Sequence, residues 1–287
     1  MNHRFILGAL GLFAASTTSA SSSDVGTTSL NFLSTPNAAE AVGVGYATVA
    51  RVESPSSVIF NPAGLGYIDA MKLRFSHTEW LAGIRNEQVG LAFPVGRGTV
   101  AGLVNFRYTS GFEEVTAGLA TGNTQLFSDL LIAAGYALPI IRGEKFALAV
   151  GGSFMSARES IAGVSDFVVG FSAGAQARFR LGELPRWAPR EADGSSSFRR
   201  LQIGLSLKNL GGKAQIGSVK SGIPLAFVSG AQYTPWKWSA FIFESEIQRG
   251  EATAIRGAVE LFPTMFIRPR VGYNIGVGHT RLTAGLG

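Results

Sequence analysis

Cysteine is absent from all 287 residues, which excludes disulfides, thiolate metal sites and cysteine nucleophiles together. Histidine occurs only at His3, His77 and His279, a spacing that suggests no metal site. Charged residues make up only 15% of the chain, and its arginines and lysines are scattered singly. The net charge of +6 therefore reads as a mild attraction to anionic lipid head groups, and no nucleic-acid partner is expected. No run beyond the N-terminus reaches the ~18 consecutive apolar residues of a membrane helix. Catalytic motifs are equally scarce. There is no phosphate-binding loop, Gly43-x-Gly45 is too short for a dinucleotide fingerprint, and the paired carboxylates Glu113-Glu114 read as a solvated edge. Neither an enzyme activity nor a cofactor is expected.

Glycine and apolar residues are abundant, at 37 residues and 46% of the chain. Their arrangement is informative between residues 166 and 180. Phe167, Val169, Phe171, Ala173, Ala175, Ala177 and Phe179 alternate with Gly170, Ser172, Gly174, Gln176, Arg178 and Arg180. Successive side chains of a strand point to opposite faces, so the segment has one apolar face and one small or polar face. Its length exceeds the ~5–6 residues usual in a soluble sheet and suits a tilted crossing of lipid. Similar runs recur near Lys72–Trp80, Glu87–Val95, Thr99–Thr109, Ser128–Pro139, Lys145–Ala157, Asp166–Leu181, Arg200–Asn209, Pro224–Thr234, Trp238–Gln248, Thr253–Phe262, Phe266–Ile275 and His279–Leu286. They predict an all-β protein, a transmembrane antiparallel β-barrel, with long connections at Gly111–Phe127 and Gly182–Phe198.

Charge assigns the faces. Asn105 and Arg107 oppose Val104, Phe106 and Tyr108. Glu244, Glu246 and Gln248 oppose Phe241, Phe243 and Ile247. Arg256 and Glu260 oppose Ile255, Val259 and Leu261, and Arg268, Arg270 and Asn274 oppose Ile267, Val271, Tyr273 and Ile275. An arginine at mid-bilayer costs roughly 2–4 kcal/mol, so the polar rows must line the lumen. Asn105, Arg107, Gln176, Arg178, Arg180, Lys208, Glu244, Glu246, Arg256, Glu260, Arg268 and Arg270 are thus expected inside. There Glu244, Glu246 and Glu260 can pair with Arg256, Arg268 and Arg270, either as a lumen-filling network or as part of a permeation route. Trp80, Trp187, Trp236, Trp238, Tyr108 and Tyr233 fall near strand ends, as girdle aromatics do. A soluble periplasmic β-protein would leave the apolar rows bare.

The N-terminus supplies a basic start, an apolar run from Phe5 to Ala15 and a small-residue site at Thr18-Ser19-Ala20, the pattern of a leader over residues 1–20 cleaved after Ala20. An exported, cysteine-free β-protein fits the outer membrane of a Gram-negative bacterium. Residues 21–70 lack sustained alternation and contain a tight turn at Asn61, Pro62, Ala63 and Gly64. They read as a compact plug whose apolar side chains need the cover of a barrel interior, leaving 71–287 as the barrel.

The ordered set Asp24-Val25-Gly26-Thr27-Thr28, Asn31-Phe32-Leu33, Ala39 to Ala47, Phe60-Asn61-Pro62-Ala63-Gly64-Leu65 and Phe75 to Leu81 resembles the opening of the PorV/PorQ-like family. Thinner likeness continues through Ser206 to Gly211, Arg270 to Tyr273 and Leu282 to Gly287. The resemblance implies a FadL-like barrel of fourteen strands with an N-terminal hatch carrying the Asn-Pro-Ala turn. The chain departs from the family in having Glu40 where a basic residue is common, and in ending at Gly287. Twelve strands are expected here, with the last hairpin lacking and the sheet edges open. Two functions are implied. One is an outer-membrane component of type IX-like protein secretion that binds C-terminal signal domains of exported cargo. The other is a FadL-like channel that admits a hydrophobic solute past the hatch.

Overall fold

The computed structural model describes residues 28–34, 38–80, 83–109, 111–116, 119–161, 163–183, 198–216, 219–262, 267–276 and 281–287. The leader expected at residues 1–20 lies outside them, as does Trp187. Sixteen strands are present among the described residues: β1 (Lys72–Glu79), β2 (Ile84–Val95), β3 (Gly98–Thr109), β4 (Phe112–Thr116), β5 (Leu119–Gln125), β6 (Phe127–Arg142), β7 (Phe146–Ile161), β8 (Val164–Glu183), β9 (Phe198–Gly211), β10 (Lys213–Ile216), β11 (Val219–Gly222), β12 (Ala226–Trp236), β13 (Ser239–Gln248), β14 (Ala254–Leu261), β15 (Pro269–Ile275) and β16 (Leu282–Leu286). Twelve of them form one antiparallel sheet, ordered β1-β2-β3-β6-β7-β8-β9-β12-β13-β14-β15-β16, and these correspond one for one to the twelve alternating runs. Two separate hairpins, β4–β5 and β10–β11, stand outside it. The connection expected at Gly111–Phe127 is therefore largely paired strand. Among the described residues no ladder joins β1 to β16.

The alternation resolves into an outer and an inner face. On β8, Phe171 is 55% exposed and its neighbour Ser172 only 7%. Val89, Leu91, Phe93, Val104, Phe106, Ile132, Phe154, Phe167, Val169, Leu205, Phe227, Phe241, Phe243, Val259, Val271 and Tyr273 are likewise exposed on the outer face. From Phe167 to Phe179 this row runs about 40 Å along the strand, or about 28 Å across a membrane at a ~45° tilt. That matches the ~25 Å apolar band of a membrane barrel. Polar pairs mark its limits at one end of β1 and β2, where His77 meets Glu87 at 2.7 Å and Arg85 meets Glu79 at 3.3 Å. Trp236 and Trp238 stack with ring centroids 5.0 Å apart at the other end.

Strand parity sorts the connections. The sheet begins with β1 and finishes with β16 at the same end, called here the terminal end, and the turns 96–97, 143–145 and 237–238 lie there. The β4–β5 and β10–β11 hairpins rise from the opposite, hairpin end. Because β3 is the third strand of the sheet and β8 the sixth, the long connections after them leave from opposite ends.

Residues 28–34 and 38–70 fill the concave side. They contain short helical turns at Asn31–Ser34, Ala39–Val42, Ser57–Phe60 and Pro62–Tyr67. The turn at Ala39–Val42 touches both β1 and β16, and other parts contact β3, β6, β7, β8 and β9. A segment this short reaches both ends of the strand order only if the sheet curls around it. Leu30, Phe32, Leu33, Val58, Leu65 and Ile68 bury themselves against inward Leu103, Leu131, Met155 and Val168 of the wall. This burial supplies the apolar cover that the sequence demanded of a non-barrel segment.

Candidate functional site

The site is the seam between the plug and the inner wall. Asn61 begins the helical turn at Pro62, where its Oδ1 accepts the Ala63 amide at 3.2 Å. Its Nδ2 donates to the Val49 carbonyl at 2.7 Å, so one side chain ties two plug loops together. Pro62 suits the first helical position because its missing N–H needs no partner there. Gly64 lies against the Val52 carbonyl, where a Cβ would come within 2.0 Å of the oxygen.

The wall is shaped to this backbone. A Cβ on Gly174 would stand 1.9 Å from Asn61 Oδ1, and one on Gly204 would stand 2.1 Å from the Val49 carbonyl oxygen. Glycine is thus required at both positions by close approach, and their absent side chains leave room for the plug's backbone. Where contact is polar, the wall donates to or accepts from that same backbone. Gln176 Nε2 donates to the Ala50 carbonyl at 2.8 Å, Ser153 Oγ to the Val58 carbonyl at 2.7 Å and Thr99 Oγ1 to the Ile68 carbonyl at 3.0 Å. The Tyr67 hydroxyl returns the contact by donating to the Gln176 carbonyl at 2.7 Å.

Charges concentrate on β13 and β14. Glu244 Oε2 accepts the amides of Thr48 and Val49 at 2.6 and 2.7 Å, while its Oε1 accepts from Arg256 Nη1 at 2.7 Å. Arg256 also pairs with Glu246, which meets Lys208 Nζ at 2.9 Å. Glu260 accepts from Arg270 Nε at 2.8 Å and from Arg51 of the plug. Charges as buried as these persist only when paired and hydrogen-bonded.

Among the residues expected in the lumen, Lys208, Glu244, Glu246, Arg256, Glu260 and Arg270 join this network. Gln176 binds the plug directly. Asn105 exchanges side-chain hydrogen bonds with Asn86 on β2 at 2.9 and 3.0 Å, and Arg107 Nε meets Asp129 at 2.7 Å. Arg178 pairs with Glu53 and lies 3.4 Å over the Tyr67 ring. Arg180 lies 4.0 Å from the exposed Glu144.

Arg268 is a correction to the expected network. It lies at the terminal-end rim just before Pro269, where its backbone still exchanges hydrogen bonds with Gly287 at 2.7 and 3.1 Å but its side chain is exposed, over the ring of Phe262 at 5.4 Å. Alternation within the run could not reveal this. The plug's own partners were also missed. Arg51, Glu53 and the Thr48 and Val49 amides carry no periodic signal, and Asp129 and Glu159 lie next to strand ends. Glu40, the departure from the family pattern, pairs with Arg74 of β1 at 2.6 Å and accepts from Ser54 Oγ at 2.8 Å. His77 is exposed on the outer face, where it contacts Glu87.

Two spaces adjoin the plug. A cavity of about 20 Å³ lies between it and the wall, lined by Phe32, Leu33, Val58, Ile59, Leu131 and Met155 together with the polar Asn86, Asn105 and Arg107. It has room for about one water molecule. A larger cleft of about 320 Å³ opens at the terminal end beside Tyr67 and Arg178.

No family model and no curated protein sequence matches the chain. Among solved structures it is similar to the TodX deltaS2S3 mutant, a monoaromatic hydrocarbon channel, with a TM-score of 0.52 and 9% identity over 88% of this chain and 83% of that one. The TodX deltaS2 mutant gives 0.51 and 9% over 85% and 87%. The chain also resembles the toluene transporter TodX of Pseudomonas putida, at 0.48 and 9% over 84% and 86%. The two likenesses above 0.5, together with the exposed apolar band and the lumen-filling N-terminal segment, show that the fold is that of the FadL-like outer-membrane β-barrels.

Proposed function

We propose that the chain is a plugged outer-membrane channel of the FadL-like type, which admits a hydrophobic solute past its N-terminal segment. The observation that carries this reading is the small cavity between plug and wall. Phe32, Leu33, Val58, Ile59, Leu131 and Met155 give it apolar walls, and Asn86, Asn105 and Arg107 supply the few polar groups that orient a ligand. At about 20 Å³ it is closed to any solute, so passage requires displacement of the plug. Its plug-side lining comes from Asn31–Ser34 and Ser57–Phe60, both held mainly by backbone hydrogen bonds and by apolar burial. The TodX neighbours, which are monoaromatic hydrocarbon channels, support a small apolar solute in preference to a polar one.

The proposed location is the outer membrane of a Gram-negative bacterium, after removal of residues 1–20. With short turns collected at the terminal end and paired hairpins at the other, the terminal end faces the periplasm. The test is uptake of a radiolabelled monoaromatic hydrocarbon by cells with an intact outer membrane, with and without the chain. Faster uptake with the chain supports the reading, and equal uptake refutes it.

A second reading follows the PorV/PorQ resemblance, in which the barrel binds C-terminal signal domains of secreted proteins. Its support is the sealed lumen combined with two hairpins, β4–β5 and β10–β11, at the same end and outside the strand order of the main sheet. Affinity isolation of the full-length protein from outer membranes followed by mass spectrometry discriminates the two. Secreted proteins sharing a C-terminal domain favour the second reading, and bound lipid or solute without protein partners favours the first.

A further inference from the structure

The β10–β11 hairpin is folded inward onto the plug. Ala214 of β10 and Ile223, just after β11, are buried in the same apolar cluster as Leu30, Phe32 and Leu33 of the plug. Ile223 seats where the wall has only glycine: a Cβ on Gly211 would stand 2.6 Å from its side chain, and one on Gly170 would stand 3.3 Å from it. The hairpin is also tied to the plug directly. The Ser29 amide donates to the Gly222 carbonyl at 3.1 Å, and the Ser29 and Ser221 hydroxyls share a hydrogen bond.

The base of this hairpin is an irregular point of the wall. Phe171 faces Leu210 and Ala173 faces Leu207, so Ser172 alone stands opposite both Lys208 and Asn209, as in a β-bulge. Asn209 has a φ of 60°, a left-handed conformation uncommon for a residue with a side chain. Its Nδ2 donates to the Pro224 carbonyl at 2.9 Å, which clips the chain entering the hairpin to the chain leaving it, and its amide donates to Ser172 Oγ at 3.2 Å. Ser172 and Asn209 both line the small cavity between plug and wall. The bulge and the left-handed residue thus sit where the hairpin meets that cavity, and Gly211 and Gly212 follow at once.

We propose that β10–β11 is the lid of the plug cavity at the hairpin end, that it turns outward about the Asn209 bulge, and that its opening and the release of residues 28–34 are one coupled event. Lifting the hairpin breaks both Ser29 contacts and uncovers the apolar cluster that holds Leu30 and Phe32. Moving residues 28–34 uncovers Ala214 and Ile223 in the same way, so each segment holds the other closed. The coupling is independent of any solute, whereas the lid's part in solute entry rests on the channel reading.

The test is hydrogen exchange of the purified full-length barrel in a neutral detergent, comparing the unaltered chain with Ile223→Ala on the lid and Ser29→Ala on the plug. Each variant should speed exchange by about tenfold or more in both residues 28–34 and β10–β11, since coupling is reciprocal, and leave β4–β5 unchanged. Faster exchange confined to the segment that carries the substitution overturns the coupling. An equal rise in β4–β5 would show general loosening and overturns it as well. For solute entry the variant is Ser29→Cys/Ser221→Cys, in a chain with no other cysteine. Once oxidised, it should take up hydrocarbon no faster than cells without the chain, and reduction should restore uptake. Equal uptake by the oxidised and reduced forms, both above that level, overturns the lid. If the unaltered chain gives no faster uptake, the channel reading fails, and the exchange result still decides the coupling.

Discussion

Removal of the Glu244 carboxylate should unlatch the plug. In Glu244→Ala the Thr48 and Val49 amides lose their acceptor, and Arg256 loses one of its two carboxylates while keeping Glu246. Hydrogen bonds to a charged group contribute about 1.5–3 kcal/mol each, so the two amide contacts together amount to about 3–6 kcal/mol. Breaking one partner of a buried pair costs about 3–5 kcal/mol, and the retained Glu246 places the net effect near the lower limit, about 3 kcal/mol. That corresponds to about a hundredfold rise in the population with the loop around Thr48 undocked, at 1.4 kcal/mol per decade. The assay is single-channel recording in planar bilayers, where a sealed lumen gives rare openings and the variant should open about a hundred times more often. Glu244→Gln retains an uncharged acceptor and should fall between the two. An open probability for Glu244→Ala equal to that of the unaltered chain, at equal insertion, would refute the claim that this carboxylate holds the plug.

Other expectations follow from the same contacts. Gly174→Val places side-chain atoms on Asn61 and should prevent native docking, whereas Gly174→Ala combined with Asn61→Gly should recover part of the lost thermal stability; strict additivity in a double-mutant cycle would show that the two positions do not meet. Phe171→Arg should block membrane insertion at a cost of roughly 2–4 kcal/mol while Arg178→Ala inserts normally, as read by heat-modifiable gel mobility; equal insertion of the two would reverse the faces. Burial holds the Tyr67 phenol above its ordinary 10.0, against the opposing pull of Arg178. A raised folded value means that its contribution is complete below the unfolded value and is lost as pH rises through the folded one. Plug docking, followed by protease protection across roughly pH 9–11, should therefore weaken only above about pH 10. Tyr67→Phe should abolish that alkaline fall, and its persistence would remove the phenol from the account.

Strands were legible wherever one face had to meet lipid. A two-residue period over a membrane-length segment leaves few alternatives, so all twelve wall strands could be located, and β8 ran only slightly beyond its expected Asp166–Leu181. The β4–β5 and β10–β11 hairpins escaped notice because neither belongs to the wall, and without a lipid face there is no reason for alternation. Arg268 shows a different limit: its backbone still pairs with Gly287 at the rim, but a two-residue period does not tell how far along the strand a charge stays covered. Within the plug, the Asn-Pro-Ala-Gly turn was readable from its own chemistry. Its docking was not readable, since that depends on Thr48 and Val49 amides and the Val49 and Ala50 carbonyls, groups every residue possesses. The wall glycines were informative in number but not in place, because the need for Gly174 and Gly204 arises from Asn61 and the Val49 carbonyl of the plug, more than a hundred residues away in sequence.

The central claim is that the Phe167 to Phe179 row touches hydrocarbon and the intervening row does not. The absence of cysteine allows a direct measurement by single-cysteine spin labelling in reconstituted bilayers. Phe167→Cys, Val169→Cys and Phe171→Cys should give labels accessible to dissolved oxygen and shielded from a water-soluble nickel complex. Val168→Cys and Ser172→Cys should lose the oxygen accessibility, giving a two-residue period along β8. Accessibility without that period, or with the two rows interchanged, would contradict the account.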